Sequence, residues 1–167
     1  MPLILLVGTT SGTAEVVADE VSKRLTAHSI VNRIVRMERA ALPMFTTRKH
    51  FLICTSTYGR GDVPDNSKPF YHSLVEARPD LSDVFYGVIG LGDANFSRTF
   101  NGGGQRFDNI FAELGAKRIG ERMKHDRNSG IRPEQMALEW LENWLIEYDK
   151  LRFGSIAERA VRTHQMG

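Results

Sequence analysis

Short, unbroken apolar runs alternate with stretches of helical period along this chain, and that alternation limits the fold more than any other feature. Residues 3–7 (LILLV) are apolar throughout, the pattern of a strand covered on both faces. Ala14, Val17, Ala18, Val21 and Leu25 follow at the spacing of one helix face. Residues 30–35 predict a second strand, residues 51–55 (FLICT) a third and residues 84–90 (VFYGVIG) a fourth. Residues 37–49 keep neither period, and Pro43 argues against a long helix there. Helices are expected over residues 68–77 and around Phe107, Ile110, Phe111 and Leu114, the second stopped by Gly115. Residues 117–123 give a weaker fifth strand. Pro133 suits the first turn of a last helix, with Ala137, Trp140, Leu141, Trp144, Leu145 and Tyr148 on its inner face. The expected class is α/β, a doubly wound five-stranded parallel sheet with helices on both faces.

With 167 residues and no internal repeat or linker, one domain is expected. Residues 1–149 carry the alternating pattern; residues 150–167 lie beyond it as a tail, a short helix or disordered. A formal charge of only +2, with no block of Lys and Arg, argues against nucleic acid as a partner. The single cysteine, Cys54, excludes an intrachain disulfide and a cysteine-rich metal or iron–sulfur site. The five histidines show no ligand spacing, so no metal is expected. No apolar run approaches the roughly 18 residues of a membrane span. The opening MPLILLV is too short for a signal peptide, so a cytoplasmic protein with no membrane contact is expected.

In an open α/β sheet, ligands bind beyond the carboxyl ends of the strands. The loops after strands one, three and four carry the unusual residues. GTTSGT in the first is neither a Walker A motif, for its glycines are too close and no lysine follows, nor the dinucleotide fingerprint. It offers four hydroxyls, Thr9, Thr10, Ser11 and Thr13, at a helix N-terminus where the dipole favours an anion such as a phosphate monoester. A plain N-cap is the alternative, but that needs one hydroxyl. The second loop, TSTYGRGDVPDN, sets Tyr58 before Gly59 and Gly61, which let a backbone approach a flat ligand. A surface turn with an amphipathic tyrosine is the alternative. The third, GLGDANFSRTFNGGG, places Phe96 and Phe100 in a loop; one is expected in the core and the other over a planar ligand. Gly102, Gly103 and Gly104 imply close packing or a mobile loop.

The strings GTTSGTAE, STYGRGDVPDNSKPFYHSL and GVIGLGDANFSRTFN resemble, in order, the FMN-binding loops of the flavodoxin family. Small MioC-type flavodoxins and the FMN domains of the cytochrome P450 reductase and sulfite reductase group are the most similar. The resemblance covers about residues 3–148. It implies the flavodoxin-like strand order 2-1-3-4-5, and FMN with its phosphate at Thr9, Thr10, Ser11, Gly12, Thr13 and Ala14. It further implies Tyr58 stacked on the isoalloxazine, with Thr57, Gly59 and Gly61 along the ring. Leu91, Gly92, Asp93, Phe96, Phe100 and Asn101 match the third loop, Phe96 standing where relatives often carry tyrosine. Asp126, within KHDRNSG, matches an acidic residue near the flavin in some relatives.

The implied function is a monomeric electron shuttle between an NAD(P)H-dependent flavodoxin reductase and an electron-accepting enzyme, with no catalytic residue of its own. Two alternatives are an FMN-dependent NAD(P)H:quinone reductase and a flavin-free phosphate- or protein-binding module. The chain departs from the family in its basic pI near 8.8, where flavodoxins are usually acidic, and in its tail.

Overall fold

A computed structural model describes residues 2–96 and 98–165, the side chains of residues 155–163 excepted. The elements run β1 (Leu3–Gly8), α1 (Thr13–Ala27), β2 (Asn32–Arg36), β3 (His50–Thr55), α2 (Lys68–Ala77), β4 (Phe85–Gly92), α3 (Gly102–Glu113), β5 (Lys117–Arg118), β6 (Met123–Asp126) and α4 (Pro133–Gln165). Short 3-10 turns at Met37–Arg39, Leu42–Thr46 and Asp65–Ser67 take up the connections before β3 and α2.

All strand pairs are parallel, in the order β2-β1-β3-β4-β5, with β6 also beside β4. The order reverses between β1 and β3, which opens a crevice at their carboxyl ends. β1 is buried at every residue, and its pleat divides the core. Leu3, Leu5 and Val7 face α1 and α4 on one side. Ile4 and Leu6 face α2 and α3 on the other.

Two expectations change. The fifth strand is not continuous. Tyr86 pairs with Arg118 and Ile89 with Met123, so three steps along β4 are matched by five on the edge. The surplus residues loop out at Gly120, whose φ of 67° a side chain would resist. Arg118 Nε donates to Gly120 O at 3.0 Å and Trp140 Nε1 to Glu121 O at 3.0 Å, which pins the bulge.

The last helix begins at Pro133 as expected but continues to Gln165, through the segment read as a separate tail. Gly154 is the one weak former described there, and about 1 kcal/mol does not stop a helix already propagating. Residues 166 and 167, the end of the expected tail, lie outside the described residues.

Candidate functional site

Four loops close around a cavity of about 840 Å³ at the carboxyl ends of β1, β3, β4 and β6. The first leaves β1 at Gly8, where a Cβ would overlap the Ser67 hydroxyl and stand 2.9 Å from Thr55 Oγ1. Thr9 then turns inward. Its Oγ1 accepts from Gly12 N at 3.0 Å, and its carbonyl accepts from Asn66 Nδ2 at 2.7 Å, tying the loop to the segment before α2. Gly12 takes φ 89° and begins α1 without a side-chain cap. Ser11 and Thr13 line the cavity at that helix end, their hydroxyls 3.4 Å apart. Thr10 is exposed, and Ala14 is fully buried against the sheet, so Ala14 can offer a ligand only its backbone.

The second loop is held by Thr57, whose Oγ1 donates to Leu91 O at 2.9 Å and accepts from Gly103 N at 3.2 Å. That hydroxyl joins β3, β4 and α3 at one point. Beyond it, Tyr58 and Asp62 exchange backbone hydrogen bonds of 2.8 and 2.9 Å, making a small hairpin with Gly59-Arg60-Gly61 at its tip. Ser56, Thr57 and Gly59 line the cavity. Tyr58 stands beside it, 45% exposed, with the Lys68 ammonium 5.8 Å from its ring centroid.

In the third loop Leu91, Gly92, Asp93, Phe96 and Thr99 reach the cavity. Neither phenylalanine joins the core. Phe96 is 59% exposed, while Phe100 is half-buried beside Gly92 and does not line the cavity. Asn101 is fully buried in a left-handed conformation, φ 56°, behind the loops. It donates from Nδ2 to His125 O at 3.2 Å; its Oδ1 is buried with no hydrogen-bond partner among the described residues. A Cβ at Gly92 would stand 2.8 Å from Asn101 N, so this close approach requires glycine. The three glycines 102–104 are explained by packing at two positions. A Cβ on Gly102 would overlap Gly61 O, and one on Gly103 would overlap Ser56 O.

The fourth wall extends well past Asp126, the position in this segment that the resemblance implied. Arg127, Gly130, Ile131, Arg132 and Pro133 line the cavity, together with the His125 ring. Arg127 N donates to Gly92 O at 3.0 Å, and His125 Nε2–H to Ile131 O at 2.6 Å. Asp126 accepts from Ala94 N at 3.1 Å and Asn128 N at 3.0 Å, and these N–H groups hold its carboxyl below the usual carboxylate range. The signal in the sequence was positional, a loop following an edge strand at the same end of the sheet.

Cys54 is fully buried, its thiol pushed up to about 12, so it is no nucleophile. Among the described residues, no three His, Cys, Asp or Glu side chains group to hold a metal, and no helix is long and apolar enough to cross a membrane.

The family model for flavodoxin matches residues 5–140. The chain belongs to the flavodoxin family. It is 34% identical to protein MioC of Escherichia coli over 143 residues, covering 86% of this chain and 95% of that one. It is 32% identical to flavodoxin YqcA of the same organism over 140 residues, 84% and 93% of the two chains. A solved mutant of flavodoxin from Pseudomonas aeruginosa superposes with TM-score 0.77 at 34% identity, covering 86% of this chain and 96% of the other. The cofactor is FMN and the function electron transfer. The cavity fits that cofactor: uncapped helix N–H groups and neutral hydroxyls gather at one end, and glycine backbone with an exposed aromatic ring at the other.

Proposed function

We propose that FMN lies with its phosphate at Thr9, Thr10, Ser11, Gly12 and Thr13 and its ring system along residues 57–61 and 91–93, with Tyr58 and Phe96 as aromatic covers. The observation that carries this reading is the joining of Ser11 and Thr13, at the uncapped start of α1, to Gly59, Leu91, Gly92 and Phe96 in one cavity. Dipole and hydroxyls stabilise a dianion without a lysine, whose charge would favour the electron-rich reduced flavin. Bound FMN supplies the capacity to take up and release electrons; the chain binds it, orients it and limits water at it. Asp93 and Asp126, both held by loop N–H groups, fix the third and fourth loops to each other through the Asn128 amide, which donates to Asp93 Oδ1 at 2.6 Å and to Asp126 Oδ1 at 3.2 Å. Electrons come from an NAD(P)H-dependent flavodoxin reductase and pass to an electron-accepting enzyme, with this chain a cytoplasmic monomer. Residues 1–149 form the FMN-binding unit, and residues 150–167 are accessory to it.

Calorimetry with FMN and riboflavin tests the site. FMN should bind about one-to-one and at least about a hundredfold more tightly, because charge-assisted hydrogen bonds to the phosphate contribute about 1.5–3 kcal/mol each. Thr13→Asp should remove most of that preference by charge repulsion. Equal affinity for the two flavins would refute the phosphate assignment.

A further inference from the structure

A second groove, of about 560 Å³, adjoins the flavin cavity, with Thr99 lining both. Its walls are the tip of the 58–62 hairpin, the loop carrying Arg98, and the outer faces of α2 and α3. Four arginines reach it: Arg60, Arg78, Arg98 and Arg106. In the sequence, Asp62, Asp65, Asp93, Glu121 and Asp126 around the flavin loops are offset by Arg60, Arg98, Arg122, Lys124 and Arg127, but the structure separates them. Asp93 lines the flavin cavity and Asp126 accepts from Ala94 N and Asn128 N between the third and fourth loops, so neither acid lines the groove. Asp65 pairs with Lys68 at 2.9 Å, and Asp62 lies 3.7 Å from Lys68 and 3.9 Å from Arg106. Glu113, the groove's own acid, pairs with Arg78 at 3.6 Å. Arg60 and Arg98 are exposed and make no ion pair among the described residues. The groove beside the flavin is therefore cationic.

We propose that this groove docks an acidic surface of a partner protein, setting that partner's redox centre beside the FMN edge. The inference rests on the reading of the neighbouring cavity as the FMN site. Charge complementarity selects the occupant. The arginines come from four separate segments and are open to solvent, Arg78 and Arg106 having side chains 55% and 48% exposed. A small anion is held by donors converging in a desolvated pocket; dispersed, solvated arginines suit a broad acidic face instead. Tyr71, Ile110 and Val75, the last 41% exposed, lie in the same groove. Tyrosine and arginine over an apolar strip is the composition of protein interfaces. Arg106 is already held in place, its Nε donating to Gly61 O at 3.0 Å.

Stopped-flow oxidation of the photoreduced holoprotein tests this. Ferricyanide, an anion, and tris(phenanthroline)cobalt(III), a cation, serve as one-electron acceptors, each reduced flavin supplying two electrons and releasing its protons to buffer. The ferricyanide rate should fall about tenfold between about 0.01 and 0.15 M ionic strength, as the Debye length shrinks from about 30 to about 8 Å. The cobalt rate should rise with salt. Poly-glutamate should slow the ferricyanide reaction, and NADP should not. The R60E/R98E double variant should reverse both salt slopes and lose the poly-glutamate effect. R33E/R39E, with the same net charge but altered at the β2 edge, should keep the wild-type signs. A yellow holoprotein whose ferricyanide rate is flat or rises with salt overturns the groove alone, as does R60E/R98E behaving like R33E/R39E. Competition by NADP and not by poly-glutamate would make the groove a small-anion site and overturn the proposal. A chain that takes up no FMN overturns the reading of the cavity, and the proposal with it.

Discussion

Gly103 and Gly59 are both glycines near the flavin cavity, and they are glycine for opposite reasons. A Cβ at Gly103 would overlap the Ser56 carbonyl, a backbone atom that cannot swing aside. Helix propensity alone would favour alanine there by about 1 kcal/mol. The overlap outweighs it, since overpacking costs about 1–3 kcal/mol. Gly103→Ala should therefore destabilise the apoprotein in urea titration and also weaken FMN, because it displaces the loop that carries Ser56 and Thr57. A Cβ at Gly59 meets nothing within 4 Å, but φ is +51°. Gly59→Ala should cost about 1–2 kcal/mol through the backbone alone. It should leave FMN affinity nearly intact while shifting the potential of the bound flavin, read by spectroelectrochemistry. His50 gives a residue-scale pH dependence. Its Nδ1 lies 2.8 Å from the Tyr148 hydroxyl, and burial together with Arg152 lowers its pKa. The unfolded chain then binds the proton more readily than the folded one, so stability rises with pH across this titration and is lost as pH falls below about 6.5 towards the lowered folded value. The melting temperature should drop between about pH 7.5 and 5.5, and His50→Gln should flatten that slope.

At the scale of elements, α4 fixes the sheet face that carries α1. Trp140, Trp144 and Tyr148 stack in sequence along it, with centroids 6.0 and 4.7 Å apart and interplanar angles of 25° and 18°. Trp144 fills the space above Gly87, where a Cβ would stand 2.5 Å from Nε1 and 2.8 Å from Leu52. Truncation would leave a void that neighbouring backbone cannot close. Trp144→Ala should lower unfolding free energy by about 3–5 kcal/mol, measured in urea with the m-value unchanged. The interrupted edge strand matters for function at the same scale. β6 lies beside the carboxyl end of β4, and this places the 127–133 loop against the cavity where a straight strand over residues 117–123 would end short of it.

For the whole molecule, FMN binding and folding are linked. The cavity is assembled from loops after four strands, so only the folded chain can bind the cofactor. At a free FMN concentration about a hundredfold above Kd, binding adds about 2.7 kcal/mol. For a domain of this size, each kcal/mol moves the melting temperature by about 2–4 °C. FMN should raise it by about 5–10 °C in a thermal scan, and riboflavin at the same concentration by much less. Equal shifts would mean that the phosphate end contributes nothing to the linkage.

The apolar runs, the helical periods and the three glycine- and hydroxyl-rich loops were legible in the sequence because each depends on neighbours within a few residues. The runs and periods were enough for the α/β class, and the three loops carried the family resemblance, which implied the sheet order. What depended on distant residues was not legible. Gly102 and Gly103 are required by Gly61 and Ser56, more than forty positions earlier, and no local pattern reports that contact. Phe96 and Phe100 have the same chemistry in one loop, and only tertiary packing turns one outward and tucks the other beside Gly92. The bulge at Gly120, which brings in the fourth wall, is a register choice made between β4 and the sheet edge. Net charge could be counted from the sequence, but its placement could not. Loop N–H groups hold Asp93 and Asp126, Arg60 and Arg98 are exposed with no ion pair among the described residues, and only the folded chain gathers Arg60, Arg78, Arg98 and Arg106 in one groove.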